Sequence, residues 1–307
     1  MIKSKFHEPV LVREVLTALK LDAPLKKTVR IIDATVGTAG HALKIVKCGG
    51  DVLGIDEDRR MLEMAEERLE KACPTLKKKN SLGSYILIHG NFKDIDKIAW
   101  DNHFESIDGI VFDLGVSNLQ LTSLERGFSF ANPEADLDMR VDPEIQAVKG
   151  ADLLNVLRKD QLQAMFGEIL KPFEAKKLSR EVIRFRQTAP IRSVGDFLTI
   201  CNVIRAKPGL SQATLPFLAL RIAVNSELDN LSEALPKAFS LLRPGGRLVI
   251  ITFHSAEDAI VKNFYQESEK GKMGIVINRK PIEAGEQEIA VNPKARSAKL
   301  RIFERKK

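Results

Sequence analysis

The densest chemistry of this chain lies between Asp113 and Arg140, in DLGVSNLQLTSLERGFSFANPEADLDMR. Residues 107–112 (IDGIVF) predict a short buried strand, and Asp113 stands where that strand ends. In an open α/β sheet, ligands gather outside the carboxyl ends of the strands. A carboxylate at that edge, followed by Ser117, Asn118, Gln120, Arg126, Phe128 and Phe130, has the composition of a reaction site. One such loop is an ordinary strand exit. A second loop of the same kind, earlier in the chain, makes a site the better reading.

That earlier loop belongs to a βαβ unit. Residues 29–34 (VRIIDA) predict a strand, TVGTAGH from Thr35 to His41 a turn, and residues 52–55 (VLGI) a second strand ending at Asp56. Asp58 is placed to cap a helix over 59–72. Small residues in such a turn let the backbone approach a ligand, and an acid ending the second strand can hold ribose hydroxyls. Gly37 and Gly40 are present without the full dinucleotide fingerprint, and Asp33 precedes the turn. A carboxylate there repels a pyrophosphate but pairs with an ammonium. S-adenosylmethionine offers an ammonium, a sulfonium and a ribose, and no phosphate, so the charge pattern favours a methyl donor over NAD. A third strand, 85–89, leads into Gly90-Asn91-Phe92, where Phe92 is placed to lie against an adenine or to enter the core.

The elements that must position these groups follow an α/β rhythm over roughly residues 25–120, broken at 141–212 by predicted helices 150–157, 160–167, 172–187 and 194–206. A long helix over 215–240, a turn at Arg243-Pro244-Gly245-Gly246 and a strand 247–253 resume the rhythm. His254 and Ser255 follow that strand, and closing strands are predicted at 273–278 and 298–304. A length of 307 residues suits two domains. The expected division is a catalytic core of 1–140 and 213–307 with an inserted helical substrate-recognition domain of 141–212. No apolar run approaches a membrane span, and the first residues lack the apolar centre of a signal peptide, so a cytoplasmic protein is expected. Cys48, Cys73 and Cys201 are widely spaced and the histidines scattered, which predicts neither disulfides nor a metal site.

The net charge of +7 is unevenly spread. Residues 149–210 hold 12 Lys/Arg against 6 Asp/Glu, and residues 270–307 hold 11 against 4, leaving the rest of the chain slightly acidic. Two basic attachments on an acidic sheet suit a polyanionic substrate.

Several motifs then resemble one family in order. They are HEPVL at His7, DATVGTAGH at Asp33, GID at Gly54, GNF at Gly90, DLGVS at Asp113, RGFSF at Arg126 and LDMR at Leu137. ALRIAVNSEL at Ala219, RPGGRL at Arg243, FHSAED at Phe253 and NPKARSAKLR at Asn292 continue the series. The chain resembles the bacterial 16S rRNA cytosine-N4 methyltransferases of the RsmH (MraW) family from His7 to Arg301. The family's loop usually has Gly where Thr38 and Ala39 stand, and Asn118, Thr122, Ala256 and Ala259 also depart from its pattern.

The resemblance implies a class I S-adenosylmethionine-dependent methyltransferase (Rossmann-like) sheet. It implies donor binding at Ala39, Gly40, His41, Asp56, Phe92, Asp113 and Gln120, of which His41 and Gln120 rest on the resemblance alone. The implied substrate is a cytidine of 16S rRNA in the decoding region of the small ribosomal subunit, flipped out of its stack. Candidate substrate contacts are Ser117, Asn118, Arg126, Phe128, Arg140 and His254, with structural alternatives for three of them: Phe128, like Phe130, is equally placed to pin the loop to the core, Arg140 to join an ion-pair network with Asp136 and Asp138, and His254 to satisfy a buried hydrogen bond. No catalytic residue is assigned, because the Asp/Asn-Pro-Pro-aromatic signature of common amino-methyltransferases is Asp-Leu-Gly-Val here. A basic helical insert could also serve as a homodimer surface. A degenerate methyltransferase-fold protein that binds RNA or assists ribosome assembly is the alternative reading, and turnover separates the two.

Overall fold

In the computed structural model, which describes residues 9–23, 25, 28–73, 83–117, 120–121, 125–206 and 209–306, the apolar runs become strands of one sheet. In chain order these are β1 (Val29–Asp33), β2 (Gly50–Asp56), β3 (Ser84–His89), β4 (Ile107–Asp113), β5 (Leu242–Thr252), β6 (Gly274–Val276), β7 (Ile282–Glu283) and β8 (Lys299–Arg305). They lie in the order β3-β2-β1-β4-β5-β8-β6, with β7 also paired to β8. The first five are parallel neighbours, and β8 runs antiparallel to β5, β6 and β7.

Successive side chains of a strand point to opposite faces. Ile31, Val111, Val249 and Ile251 therefore enter one core, with Val15 of α1 (Val12–Ala18), Ile45 of α2 (Gly40–Lys47) and Leu69 of α3 (Arg59–Ala72). Ile32, Ile110, Phe112, Leu248 and Ile250 enter the other, with Ala99 of α4 (Ile95–Asp101). A sheet covered on both faces explains why its strands read as near-continuous apolar runs rather than alternating ones.

The chain divides into two compact units, Met1–Gly115 with Leu228–Lys307, and Val116–Glu227. The second is built on α5 (Gly150–Val156), α6 (Lys159–Gly167), α7 (Pro172–Arg186), α8 (Val194–Cys201) and α9 (Thr214–Asn225). Its core joins Phe128, Leu137, Met139 and Val141 to Leu162, Phe166, Leu178, Val182, Phe197, Phe217 and Leu220. The unit is thus wider than the expected 141–212, because the segment before residue 141 and the helix after 212 share that core.

Three expected elements change. The helix over 215–240 is two helices, α9 and α10 (Glu227–Leu241), parted by Ser226, whose φ of 49° ends the first turnwise. The helix over 194–206 ends at Cys201. Arg243-Pro244-Gly245-Gly246 lies within β5, and the irregularity is taken up as a register shift against β4 between Ile107 and Gly109. The last helices are α11 (Ser255–Lys270) and α12 (Glu286–Val291).

Candidate active site

β1 stands between β2 and β4, so the chain order of neighbouring strands reverses at β1. Such a reversal leaves a crevice at the carboxyl edge of the sheet. Asp33, Asp56 and Asp113 end β1, β2 and β4 at that edge. The turn after β1 is stitched to both neighbours: Ala34 N–H donates to Val111 at 2.9 Å and Val36 N–H to Ile55 at 2.9 Å. The Thr35 hydroxyl oxygen accepts from Asp113 N–H at 2.7 Å. Thr35 was not singled out from sequence, although a hydroxyl one turn position beyond a strand end is a readable signal.

Two backbone features shape the loop. Ala39 is left-handed, with φ 59° and ψ 38°, at the N-terminus of α2. That conformation costs an L-residue about 1–2 kcal/mol, and the fully buried Ala39 methyl offsets about 0.8 kcal/mol of it. The family's Gly is therefore replaceable here. Gly40 is not: a Cβ at this position would lie 2.9 Å from the Pro9 side chain.

Asp56 is held in one orientation. Its two carboxylate oxygens accept from Gly37 N–H at 2.8 Å and Asp58 N–H at 2.9 Å. Asp58 caps α3 as expected, accepting from Arg60 N–H at 3.0 Å. Burial drives the Asp56 pKa up to about 6 against those two hydrogen bonds. Asp33 is also buried, which pushes its pKa up to about 6 despite the opposing charge of His41.

His41 lies 3.6 Å from Asp113 through Nε2 and Oδ2, longer than a hydrogen bond. Burial disfavours its charged form, but the Asp113 and Asp33 carboxylates outweigh that and raise its pKa. Glu288 of α12 adds to the same field while its Oε1 accepts from Leu11 N–H at 2.8 Å. No sequence signal tied Glu288 to this site. Among the described residues, His41 Nε2 and Asp113 Oδ1 are buried and have no hydrogen-bond partner. Buried polar groups in folded proteins are nearly always satisfied, so this pair points to a ligand. Phe92 packs edge-on against Phe112, with ring centroids 5.6 Å apart, and stays partly open at the end of β3.

The remaining candidates have other partners. Ser117 and Gln120 bond reciprocally, Ser117 N–H to Gln120 Oε1 at 2.7 Å and Gln120 N–H to the Ser117 hydroxyl at 3.2 Å, in the manner of a capping box. Asn118 lies outside the described residues, as do His7 and Thr122. Phe128 is a correction to the sequence reading: it is only 6% exposed, in the core of the second unit, with the Arg126 guanidinium over its ring. Phe130 is likewise set edge-on against Phe217. Arg126 donates to the carbonyls of Arg140 and Val141. Arg140 grips Asp138 through two bonds of 2.6 and 2.7 Å and reaches the Gln146 carbonyl at 2.9 Å. These two arginines brace the loop rather than present a free fork to phosphate. His254 caps α11, accepting from Glu257 N–H at 3.4 Å, while Glu257 accepts from the N–H groups of Phe253 and His254.

A parallel run in the order β3-β2-β1-β4-β5, closed by an antiparallel β8, with acids where β1, β2 and β4 end, is the sheet of the class I methyltransferase fold. The chain belongs to the MraW methylase family, which it matches over residues 4–306. Ribosomal RNA small subunit methyltransferase H of Methylacidiphilum infernorum is 40% identical over 309 residues, covering 96% of this chain and 93% of the relative. The protein of the same name from Dictyoglomus thermophilum is 37% identical, covering 98% and 97%. An rRNA methylase structure from Streptococcus thermophilus shares 12% identity, with 95% of each chain covered and a TM-score of 0.43.

Proposed function

We propose that the protein transfers a methyl group from S-adenosylmethionine to the exocyclic N4 of a cytidine in 16S rRNA, in the decoding region of the small ribosomal subunit, in the cytoplasm. The observation that carries the reading is the unpartnered pair His41 Nε2 and Asp113 Oδ1 at the sheet edge. One offers a hydrogen and the other accepts one, the complement of an amino acid's carboxylate and ammonium. The residues present therefore fit the donor. His41 and Asp113 would hold its amino-acid end, the oriented Asp56 carboxylate its ribose, and Phe92 its adenine, beside a loop that Gly40 keeps close.

Bound there, the donor supplies a sulfonium-activated methyl. The cytosine N4 lone pair is delocalised into the ring, so acceptors at the end of β4 must hold its hydrogens to favour attack. Catalysis of this kind rests on positioning and electrostatics. A carbon-5 reaction would call for a cysteine nucleophile, and residues 113–140 contain none. Family membership at this identity, and a basic segment over 149–210, support rRNA as the substrate. In this reading the second unit recognises the rRNA.

Donor affinity is expected to fall as pH drops below about 6. Asp33 and Asp56 keep their protons up to about pH 6 in the folded donor-free protein, and a positively charged ligand binds their ionised forms. Protonation then competes with the donor, by up to about tenfold per pH unit for each carboxylate. Above pH 7 the affinity levels off. The same shift means that donor-free stability declines as pH rises from the ordinary carboxylate range through 6, since the folded state binds the extra protons. Titration calorimetry from pH 5 to 8 checks this, and a flat dissociation constant across that range would count against the assignment.

The activity itself is tested with labelled donor on small subunits lacking the modification, naked 16S rRNA in parallel, and mass spectrometry of the nucleosides. N4-methylcytidine at one position is expected. Donor binding without transfer to either acceptor would favour a degenerate protein that binds RNA.

A further inference from the structure

Helix α7 packs with one face only. Ala175, Leu178, Ser179 and Val182 are buried on its inner side. On the outer side, Phe173, Lys177, Arg180 and Arg184 follow one another at helical spacing as an exposed row, with Lys176 beside it. The row is about 16 Å long at 1.5 Å per residue.

Phe173 leaves 71% of its surface in solvent. A single exposed apolar residue needs no explanation by itself; its neighbours are what give this one meaning. Glu174 and Glu181 fall on the flank of the helix and are engaged, Glu174 by Lys171 N–H at 3.2 Å and Glu181 by Arg184. Among the described residues, no carboxylate pairs with Lys176, Lys177 or Arg180. An exposed phenyl ring set among cations that repel one another gains nothing for this fold. It matches a ligand with flat apolar faces strung along a chain of negative charge.

We propose that this face of α7 docks an unpaired stretch of RNA, with Phe173 stacked on a base and Lys176, Lys177 and Arg180 on the flanking phosphates. Stacking on an aromatic is tolerant of sequence, and the cations track the backbone. The proposal rests on the rRNA substrate argued above and adds to it a surface of the second unit that grips that substrate. It also moves the aromatic platform from Phe128, which is core, to a ring that is in solvent. A protein partner would call for a larger apolar patch than one ring.

Fluorescence titration of the full chain with a short single-stranded RNA of mixed sequence, and separately with small subunits, tests it. Phe173→Ala and Phe173→Leu are expected to weaken RNA binding by about 5- to 100-fold, while Phe173→Trp holds it near the wild-type value. The double variant Lys177→Gln, Arg180→Gln is expected to lower the slope of log affinity against log salt by about 0.7 for each lost phosphate contact. Donor affinity and melting temperature should stay unchanged in all four, since the altered groups are exposed.

Wild-type binding that Phe173→Leu leaves intact would overturn the proposal. So would weakened binding to subunits with unchanged binding to RNA, which would assign the face to a ribosomal protein. The methyl-transfer assay keeps the two readings apart. Inactive wild type whose RNA binding depends on Phe173 sinks the activity and keeps the surface, and active wild type indifferent to Phe173 does the reverse.

Discussion

Replacing Asp113 by Asn is expected to weaken S-adenosylmethionine binding by about 10- to 100-fold, with the donor-free melting temperature little changed. A hydrogen bond to a charged group contributes about 1.5–3 kcal/mol, the range that gives this factor. Asparagine keeps the shape of the side chain and an oxygen, so the Asp113 N–H bond to Thr35 survives. What it removes is the negative charge beside Oδ1, which has no partner among the described residues. Asp113 and Asp33 also repel one another across the crevice. The substitution relieves that repulsion and gives up the attraction between Asp113 and His41, so the two changes offset and the melting temperature should move little. His41 should lose part of the field that raises its pKa, a change that NMR titration of the imidazole reads directly. Calorimetry gives the affinity. A dissociation constant within threefold of wild type would remove Asp113 from the donor site.

The second large effect concerns stability alone. Phe197→Ala is expected to destabilise the protein by about 3–5 kcal/mol, the usual cost of deleting a buried aromatic ring. Phe197 is fully buried in the second unit, between Phe166 at 6.3 Å and Phe217 at 4.8 Å, centroid to centroid. Phe217 carries the edge of Phe130, and the same core holds Phe128, Leu137 and Met139. Loss of the ring therefore loosens the segment over 125–141 as well as the helices. Urea unfolding measures the loss, and donor binding at low temperature should persist, because His41, Asp56 and Asp113 belong to the other unit. A change under 1 kcal/mol would mean that this core repacks around the gap.

The two substitutions divide the protein along a line that was partly legible from the chain. The donor side was legible because a buried parallel strand must be apolar throughout, so an acid at its end stands out: Asp33, Asp56 and Asp113 announce three strand ends in plain view. The second unit was recognised as helical but cut short at both sides. Its limits depend on Leu137, Met139, Phe217 and Leu220 sharing a core with residues distant in the chain, and periodicity within one segment carries no such information. The break at Ser226 was missed for a related reason. Apolar spacing continues smoothly across it, while a single left-handed residue ends α9.

By itself, the sequence determined the order of the strands' apolar runs, the acids that terminate them, the Asp58 cap and the family to which the chain belongs. These are local properties, written in adjacent residues and in fixed spacings. Only the tertiary structure decided which polar side chains remain available for chemistry. Arg126 and Arg140 look like substrate ligands in a string of letters, yet their hydrogen bonds go to carbonyls and to Asp138, while His254 caps a helix through Nδ1 and keeps a buried Nε2 with no hydrogen-bond partner among the described residues. His41 Nε2 and Asp113 Oδ1 stay unspent among the described residues, and Phe173 stays in solvent while Phe128 does not. A side chain's chemistry is set by its type, but its availability is set by what the fold places within 3 Å of it, and no spacing along the chain encodes that distance.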